Sequence, residues 1–358
     1  MRFLVFGIAC ALFATALMGR GQHLLTVSSD LPRYNVTCLG SLGGNSYHAS
    51  HAFDINSRGQ VVGSASALPT GNEHAFVWQN GKLTDVGTLP GGSDSSAKAI
   101  NAAGMVVGKS SGSADRPDRA FFYRNGRVSE LGTLGGPNSD ANGINHLGHV
   151  VGEAMDAEHN YQPFAYRNGR MERLLLLVEK GGVGRACAIN NKGQIVGQSD
   201  TPDGAIHAVL WQQGTVQDLG TLGGTKSSAH AINDAGQVVG DSDVRVGQYQ
   251  RYRAFLWSRG KMSDLGSLGS GYSRAWDINN KGQVVGESYP GEGASAGRHA
   301  FLYTNGRMLD LNTLIPPDSG WRLISAKAIN DAGQIVGHGK YQGRLFAFLL
   351  TPGNSKME

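Results

Sequence analysis

One position in this sequence carries a different polar group each time a repeated segment returns. It directly precedes the first alanine of Ala-x-Ala-Ile-Asn and its close variants, and its occupants are His51, Ser96, Asp140, Arg185, Ser228, Arg274 and Ser325. Imidazole, carboxylate, guanidinium and phenol groups gathered on one surface could bind a sugar or a peptide. We therefore select these ligand-binding candidates: Tyr47, His51, Asp140, Arg185, Tyr272 and Arg274. The alternative interpretation is a set of solvated polar loop ends.

The sequence shows no clear set of catalytic residues. Gly108-Lys109-Ser110-Ser111-Gly112 matches the Gly-x-Ser-x-Gly pattern of hydrolases, but it lacks the strand–turn–helix context that the pattern needs. We predict no catalytic residues, no metal site and no cofactor. The alternative hypothesis is an extracellular polysaccharide-active enzyme, a hydrolase or a lyase, that uses the candidate residues at the mouth of a channel.

The elements that would position these residues recur at a fixed period. The asparagine of Ala-Ile-Asn-x-x-Gly-Gln-Val-Val-Gly returns seven times, 43 to 51 residues apart, as Asn56, Asn101, Asn145, Asn190, Asn233, Asn279 and Asn330. Such a period is typical of stacked repeats. The high glycine content, 53 of 358 residues, agrees with many tight turns.

Each repeat contains four blocks that have the length and composition of β-strands, which we label A to D. Asn-x-x-Gly between A and B fits a type I turn, and Asn-Gly between C and D, as in Asn80-Gly81, predicts a type I′ hairpin. Strand C repeats aromatic residues two positions apart, as in Phe76 and Trp78, and we expect them to pack against the neighbouring sheet. Four-stranded antiparallel sheets with a period near 45 predict a β-propeller.

The two chain ends are out of phase with the repeat. Residues 34 to 44 match block D with no A to C before them, and the chain ends on a block C at Phe346 to Leu350. We therefore predict an all-β, seven-bladed β-propeller, with four-stranded antiparallel blades and a last blade closed by the N-terminal strand. Strand A should be innermost, and the B–C and D–A connections, which vary in length, should carry any binding surface. His230 and Trp276, one residue past the first alanine, are expected on the opposite face, packed between blades.

Three motifs together carry a family resemblance: His-Ala-Phe in strand C, Ala-Ile-Asn-x-x-Gly-Gln-Val-Val-Gly, and Asp-Leu-Gly-Thr-Leu-Gly-Gly. With them the chain closely resembles the bacterial extracellular HAF-repeat family over roughly residues 34 to 350. The resemblance implies an exported protein of propeller-like fold. It implies no established activity and therefore no functional residues.

The N-terminus and the composition set the expected location and partners. A basic start, an apolar run from Phe3 to Met18 and the small residues Ala14 and Ala16 predict a signal peptide over 1–19. A linker (20–33), the propeller (34–350) and a tail (351–358) should follow. The run is too short to span a membrane, and the net charge of +4 favours neither nucleic acid nor a membrane surface. We expect a secreted or periplasmic, monomeric, non-catalytic scaffold for an unknown protein or polysaccharide, with Cys38 and Cys187 as buried, unbridged thiols.

Overall fold

The computed structural model describes residues 31–43, 49–68, 71–112, 117–178, 180–246, 249–269, 271–291 and 297–353. All elements below belong to the compact unit Pro32–Glu358. The predicted signal peptide, most of the linker before Leu31 and the candidate Tyr47 lie outside the described residues, as do the last five residues of the tail.

The described chain forms seven four-stranded antiparallel sheets, which confirms the predicted seven-bladed propeller. Blades one to three contain β2 Ser50–Ile55, β3 Val61–Ser66, β4 Glu73–Gln79, β5 Lys82–Gly87; β6 Asp94–Ile100, β7 Val106–Ser111, β8 Arg119–Arg124, β9 Arg127–Glu130; and β10 Gly135–Ile144, β11 Val150–Asp156, β12 Tyr161–Arg167, β13 Arg170–Arg173. Blades four to six contain β14 Gly184–Ile189, β15 Ile195–Asp200, β16 Ile206–Gln212, β17 Thr215–Asp218; β18 Ser227–Ile232, β19 Val238–Val246, β20 Tyr249–Ser258, β21 Lys261–Asp264; and β22 Ser273–Ile278, β23 Val284–Ser288, β24 His299–Thr304, β25 Arg307–Asp310. Blade seven contains β26 Trp321–Ile329, β27 Ile335–Tyr341 and β28 Arg344–Pro352, and a short 3-10 helix, Leu311–Thr313, precedes it.

The N-terminal strand closes the last blade, as the phase of the repeat predicts. Strand β1, Tyr34–Cys38, pairs antiparallel with β28, from Tyr34 opposite Pro352 to Cys38 opposite Phe348. Its sheet therefore has the order β1-β28-β27-β26, with the first strand of the chain in the outer position. Strand β28 extends two residues past the predicted boundary at 350.

The turns follow from their sequences. Asn80 and Gly81 both have positive φ, 49° and 83°, which is the type I′ geometry expected of Asn-Gly. In the A–B turn, the Asn56 side-chain oxygen accepts hydrogen bonds from the backbone amides of Arg58 and Gln60, each at 3.0 Å. These bonds explain why asparagine begins this turn in all seven repeats.

The same asparagines also join the blades into a ring around the axis. Each side-chain amide donates to the backbone oxygen of the equivalent asparagine in the next blade, at 3.0 to 3.3 Å. The last of these bonds runs from Asn330 back to Asn56. Sequence reasoning assigned these residues a turn role only and missed this second one.

Packing between blades uses one large and one small residue per repeat. The strand C phenylalanines, such as Phe76 and Phe255, are fully buried, which confirms that the aromatic stripe packs between sheets. At the start of strand A, Ser227 accepts from the backbone amide of Ala208 in the preceding blade at 2.8 Å and donates to Gly220 at 2.6 Å. Buried hydroxyls therefore satisfy backbone groups where two sheets meet.

Candidate binding site at the channel mouth

A β-bulge in strand A shapes the centre of the molecule. In blade one, Ala52 pairs with Gly63 and Asp54 pairs with Val62, so Phe53 has no partner across the sheet. The same register shift occurs in all seven blades. The facing residue is always glycine because a Cβ at Gly63 would clash with the backbone oxygen of His51. A bulge bends a strand and redirects the side chain it carries.

The bulge residues of all seven blades line a central cavity of about 200 Å³. They are Phe53, Lys98, Asn142, Cys187, His230, Trp276 and Lys327. The prediction that His230 and Trp276 pack between blades on the opposite face was wrong. Residues two apart share a strand face, so the bulge position faces the channel together with the variable position before it. This ring of cavity residues could have been found from that spacing.

Two half-buried carboxyl groups lie just below the bulge residues. Asp54 accepts backbone hydrogen bonds from Ile55 and, in the next blade, from Ile100, and Asp277 does the same with Ile278 and Ile329, at 2.7 to 2.8 Å. Burial raises the pKa of Asp54 to about 6. Burial, with the nearby charge of Asp54, raises the pKa of Asp277 to about 7.

Beyond these carboxyls the channel contains a second cavity of about 270 Å³ on the A–B turn side. Its walls repeat one isoleucine per blade, such as Ile55, and in six blades the ring asparagine, such as Asn56, while the third blade contributes His146. Strand A is therefore innermost, as predicted. The turn-side end of the channel is built mainly from the repeated isoleucines and asparagines, whereas the opposite end, which we call the mouth, carries the variable position of strand A.

At the mouth, the variable residue of strand A contacts strand B of the preceding blade. Arg274 Nε donates to Asp241 Oδ1 at 2.8 Å, and Ser228 Oγ donates to Gln198 Oε1 at 2.6 Å. Arg185 Nε lies 3.6 Å from Glu153 Oε1, and the rings of His51 and His338 are 4.8 Å apart. Much of the variation among these residues is thus pairing between neighbouring blades.

Asp140 and Arg185 meet through the residues between them. Lys98 Nζ forms an ion pair with Asp140 and donates to Asn142 Oδ1 at 3.0 Å, and Arg185 donates to the same Asn142 oxygen at 3.1 Å. Burial raises the pKa of Glu153, which lies beside this group, although Arg185 opposes the shift.

Arg274 and Tyr272 belong to a second group, which is rich in aromatic rings. The Arg274 guanidinium lies 5.0 Å from the centre of the Tyr252 ring and 5.2 Å from that of Trp276. Tyr272 packs against Tyr252 with ring centres 5.1 Å apart. Lys327 Nζ sits 3.5 Å from the centre of the Trp276 ring, and burial lowers the pKa of Lys327 to about 8.

The candidate residues therefore do not converge on one point. The described ones form three groups around the mouth: Asp140 with Arg185, Tyr272 with Arg274, and His51 beside His338. Burial lowers the pKa of both His51 and His338, the latter to about 3. These two imidazoles are accordingly neutral near pH 7.

Several buried polar atoms of the described mouth residues have no hydrogen-bond partner. Within the described part of the chain, eleven buried side-chain nitrogen or oxygen atoms have no hydrogen-bond partner. Six of them belong to mouth or bulge positions: Asp140 Oδ1, Arg185 Nε, Trp276 Nε1, Glu287 Oε2, Ser325 Oγ and His338 Nδ1. Ser325 is close enough to Glu287 to lower its pKa, yet the two do not form a well-aligned bond. Because buried polar groups are normally paired, this concentration distinguishes the mouth from the rest of the molecule.

Comparison with protein families places the repeats in a known group. Residues 40–134 and 220–348, together more than half of the chain, match the model of the family described as protein of unknown function (DUF3466). The chain belongs to this family. A search of curated protein sequences gives no match.

Solved structures resemble this member of the family in fold. The β-propeller domain of the Trilobed protease from Pyrococcus furiosus, described as having an open velcro topology, matches with a TM-score of 0.58 and 9% identity over 86% of this chain and 97% of that one. An oligogalacturonate lyase in complex with manganese matches with a TM-score of 0.58 and 10% identity over 91% and 98%. TolB from Acinetobacter baumannii matches with a TM-score of 0.45 and 13% identity over 88% of this chain, which spans 65% of the TolB length. At these identities the likeness concerns the fold alone.

No helix in the described residues has both the length and the apolar character required to cross a membrane.

Proposed function

We propose that this protein is an exported, monomeric binding protein that holds an extracellular polysaccharide at the mouth of its channel, on the B–C and D–A side. The observation that carries the proposal is the concentration of unpartnered buried polar atoms there. Both kinds of hydrogen-bonding group are present. Trp276 Nε1 is a donor, and Asp140 Oδ1 and Glu287 Oε2 are acceptors. A sugar hydroxyl can both donate and accept hydrogen bonds, so a saccharide could bond to the unpartnered donors and to the unpartnered acceptors.

The charges at the mouth favour a neutral ligand over a polyanion. Lys98 is paired with Asp140, Arg274 with Asp241, and Arg298 with Glu287 at 2.9 Å. In such ion pairs the opposite charges largely cancel, so the net electrostatic field at the mouth is small. Their remaining polar atoms can still form hydrogen bonds with a ligand. A neutral saccharide fits such a surface better than a chain of uronate or sulfate groups.

Aromatic rings supply the apolar part of the surface. Tyr252 and Tyr272 are partly exposed and pack beside Arg274. The tyrosine ring gives a ligand contact area at low cost in conformational entropy, and its hydroxyl still bonds to polar groups. This sector of blades five to seven is therefore the part of the mouth where we expect the sugar to lie.

Export belongs to the same proposal. Its support is the predicted signal peptide and the resemblance to the bacterial extracellular HAF-repeat family. An extracellular polysaccharide is the ligand class that a protein in this location would meet.

The test is a glycan array probed with the mature protein, combined with a cleavage screen of the glycans that bind. We expect binding to neutral oligosaccharides without release of shorter products. An array without hits, or hits that Tyr252→Ala and Trp276→Phe leave unchanged, would contradict the proposal.

A second candidate function is a polysaccharide-active enzyme, and one observation favours it. Asp140 and Glu153 face each other across strands β10 and β11, and burial raises the pKa of Glu153. Two carboxyl groups with different environments can serve as acid and base in cleavage of a glycosidic bond. Product formation that is lost in Asp140→Asn, with binding retained, would select this function instead of the scaffold.

A further inference from the structure

Below the mouth, a cysteine, a histidine and an aspartate lie on neighbouring strands. Cys187 lies on β14, His230 on β18 and Asp241 on β19. His230 Nε2 is 2.6 Å from Asp241 Oδ1, and the same carboxylate oxygen accepts from Arg274 Nε at 2.8 Å. The carboxylate therefore holds the imidazole, and Arg274 holds the carboxylate.

Cys187 lies at the bulge next to that of His230. Cys187 and His230 are the bulge residues of adjacent blades, and both line the 200 Å³ cavity. Adjacent bulge residues touch elsewhere in this ring: Lys98 Nζ lies 3.0 Å from Asn142 Oδ1, and the His230 and Trp276 ring centres are 4.7 Å apart. Because Nε2 is used by Asp241, Nδ1 is the nitrogen left for the thiol.

The electrostatics agree with this contact. Burial lowers the pKa of His230, but the bond to Asp241 and the nearby Cys187 thiol outweigh burial and leave the pKa above its usual value. Burial raises the pKa of Asp241, while His230 and Arg274 outweigh this and lower it. The free thiol is partly exposed, contrary to the expectation of a buried cysteine. No three His, Cys, Asp or Glu side chains in the described ranges are arranged to hold a metal ion.

We propose that Cys187 is a nucleophile, with His230 as its general base and Asp241 as the positioning residue, and that the cavity accepts the acyl group of a small carboxylic ester. Acyl transfer by a covalent mechanism uses a nucleophile, a general base close to it, and a third group that orients the base. This site lies below the saccharide surface and shares Trp276 with it. Neither proposal requires the other.

The reaction balances with water as the second reactant. The Cys187 thiol proton passes to His230 Nδ1 as sulfur bonds to the ester carbonyl carbon. The carbon–oxygen bond of the ester breaks, and the alcohol leaves with the proton from His230. Water, which gives its proton to His230, then attacks the thioester. The carboxylic acid departs, and the proton returns to sulfur.

The cavity supplies groups for the negative charge that develops on the carbonyl oxygen. Trp276 Nε1 is a buried donor without a partner, and its ring contacts His230. Lys98 and Lys327 line the same cavity. Donors and cations that are fixed before reaction stabilise an oxyanion more than mobile water does.

The experiment uses p-nitrophenyl acetate as the probe, with the mature protein and its variants. Peptide mapping by mass spectrometry measures acetylation at each cysteine, and the exposed Cys38 is an internal control. We expect acetyl-Cys187 to form first, no adduct at position 187 in Cys187→Ser, and a rate at least 100-fold lower in His230→Gln. Equal labelling of both thiols, no label on Cys187, or an unchanged rate in His230→Gln would overturn the proposal.

The positioning role of Asp241 is tested by the pH dependence of the acylation rate. In Asp241→Asn the imidazole loses the partner that raises its pKa, so the midpoint of the acylation rate against pH should move to lower pH, and the plateau rate should fall. A role confined to packing would leave the midpoint in place, and an unmoved midpoint would contradict the assignment of Asp241. The charged or titratable groups that face His230 from the surrounding strands are Cys187, Asp241, Arg274, Arg185, Lys98, Lys327, Asp54 and Asp277.

Discussion

The side-chain amide of Asn330 donates to the backbone oxygen of Asn56 at 3.1 Å and closes a ring of seven equivalent bonds. Blades seven and one are thereby joined at the axis, while β1 joins the two ends of the chain at the outer edge of blade seven. The propeller is closed twice, at the smallest and the largest radius.

Replacing one asparagine of this ring should be costly. In Asn190→Ala the backbone oxygen of Asn233 and the turn amides of Lys192 and Gln194 lose their partners. We expect the free energy of unfolding to fall by about 2 to 4 kcal/mol, because several buried or partly buried groups lose their hydrogen bonds. Asn191→Ala, next in sequence but exposed, is the matched control and should cost less than about 1 kcal/mol. Urea denaturation measures both, and equal losses would mean that the ring contributes no special stability.

Removal of the N-terminal strand should open the outer closure. Deleting residues 22–44 removes β1, exposes the edge of β28 and uncovers Tyr34's buried neighbours in blade seven. A large fall in the melting temperature should follow. Deletion of residues 22–30, which ends before β1, is the control. A chain without 22–44 that melts at the temperature of the intact protein would refute the closure by β1.

The glycine opposite each bulge should tolerate no side chain. A Cβ at Gly240 would overlap the backbone oxygen of Ser228, whereas a Cβ at Gly260 would meet nothing within 4 Å. Gly260 has φ of 80°, so Gly260→Ala should cost about 1 kcal/mol through backbone strain alone. We expect Gly240→Ala to cost more than about 3 kcal/mol, since the bulge must shift. Similar losses in thermal denaturation would show that the bulge accommodates a methyl group.

The half-buried carboxyl groups should make stability depend on pH. The pKa of Asp277 is about 7 in the folded protein and near its ordinary value of 3.8 when unfolded. Between these values the folded state binds more protons than the unfolded state, so stability contributed by this group is present below about pH 4 and is lost as pH rises toward 7. A shift of this size corresponds to a few kcal/mol.

Asp277→Ala tests this dependence with a residue that other blades already use, as at Ala99 and Ala231. In this variant the free energy of unfolding should decrease less between pH 4 and pH 7 than it does in the intact protein. Asp54→Ala should have the same effect to a smaller extent. Asp234→Ala, a control at the turn end of the channel where the carboxylate is half-buried and bonded to Asn191, should leave the dependence unchanged. Parallel stability–pH curves for the intact protein and Asp277→Ala would contradict the raised pKa.

The fold could be predicted from sequence because its signals are local. Asn80-Gly81 specifies a hairpin by itself, and the out-of-phase blocks at Tyr34 and Phe348 specify closure. The site could be predicted only in part. No sequence pattern marks Phe53 as the residue without a partner across the sheet, although the two-residue spacing from the variable position does place His230 and Trp276 on the channel face. Pairing such as Arg274 with Asp241 joins residues of different blades and becomes visible only once the blades are adjacent.

The most direct test of the account is calorimetric titration of the mature protein with the neutral oligosaccharide that binds best on an array. Trp276→Phe removes one unpartnered donor at the mouth and keeps an aromatic ring, although a smaller one, while Trp78→Phe makes the same change between blades. We predict that Trp276→Phe weakens binding by roughly 3- to 10-fold, the value of one hydrogen bond, and that Trp78→Phe does not weaken it. Equal affinity of both variants and the intact protein, or no binding at all, would contradict a saccharide site at the channel mouth.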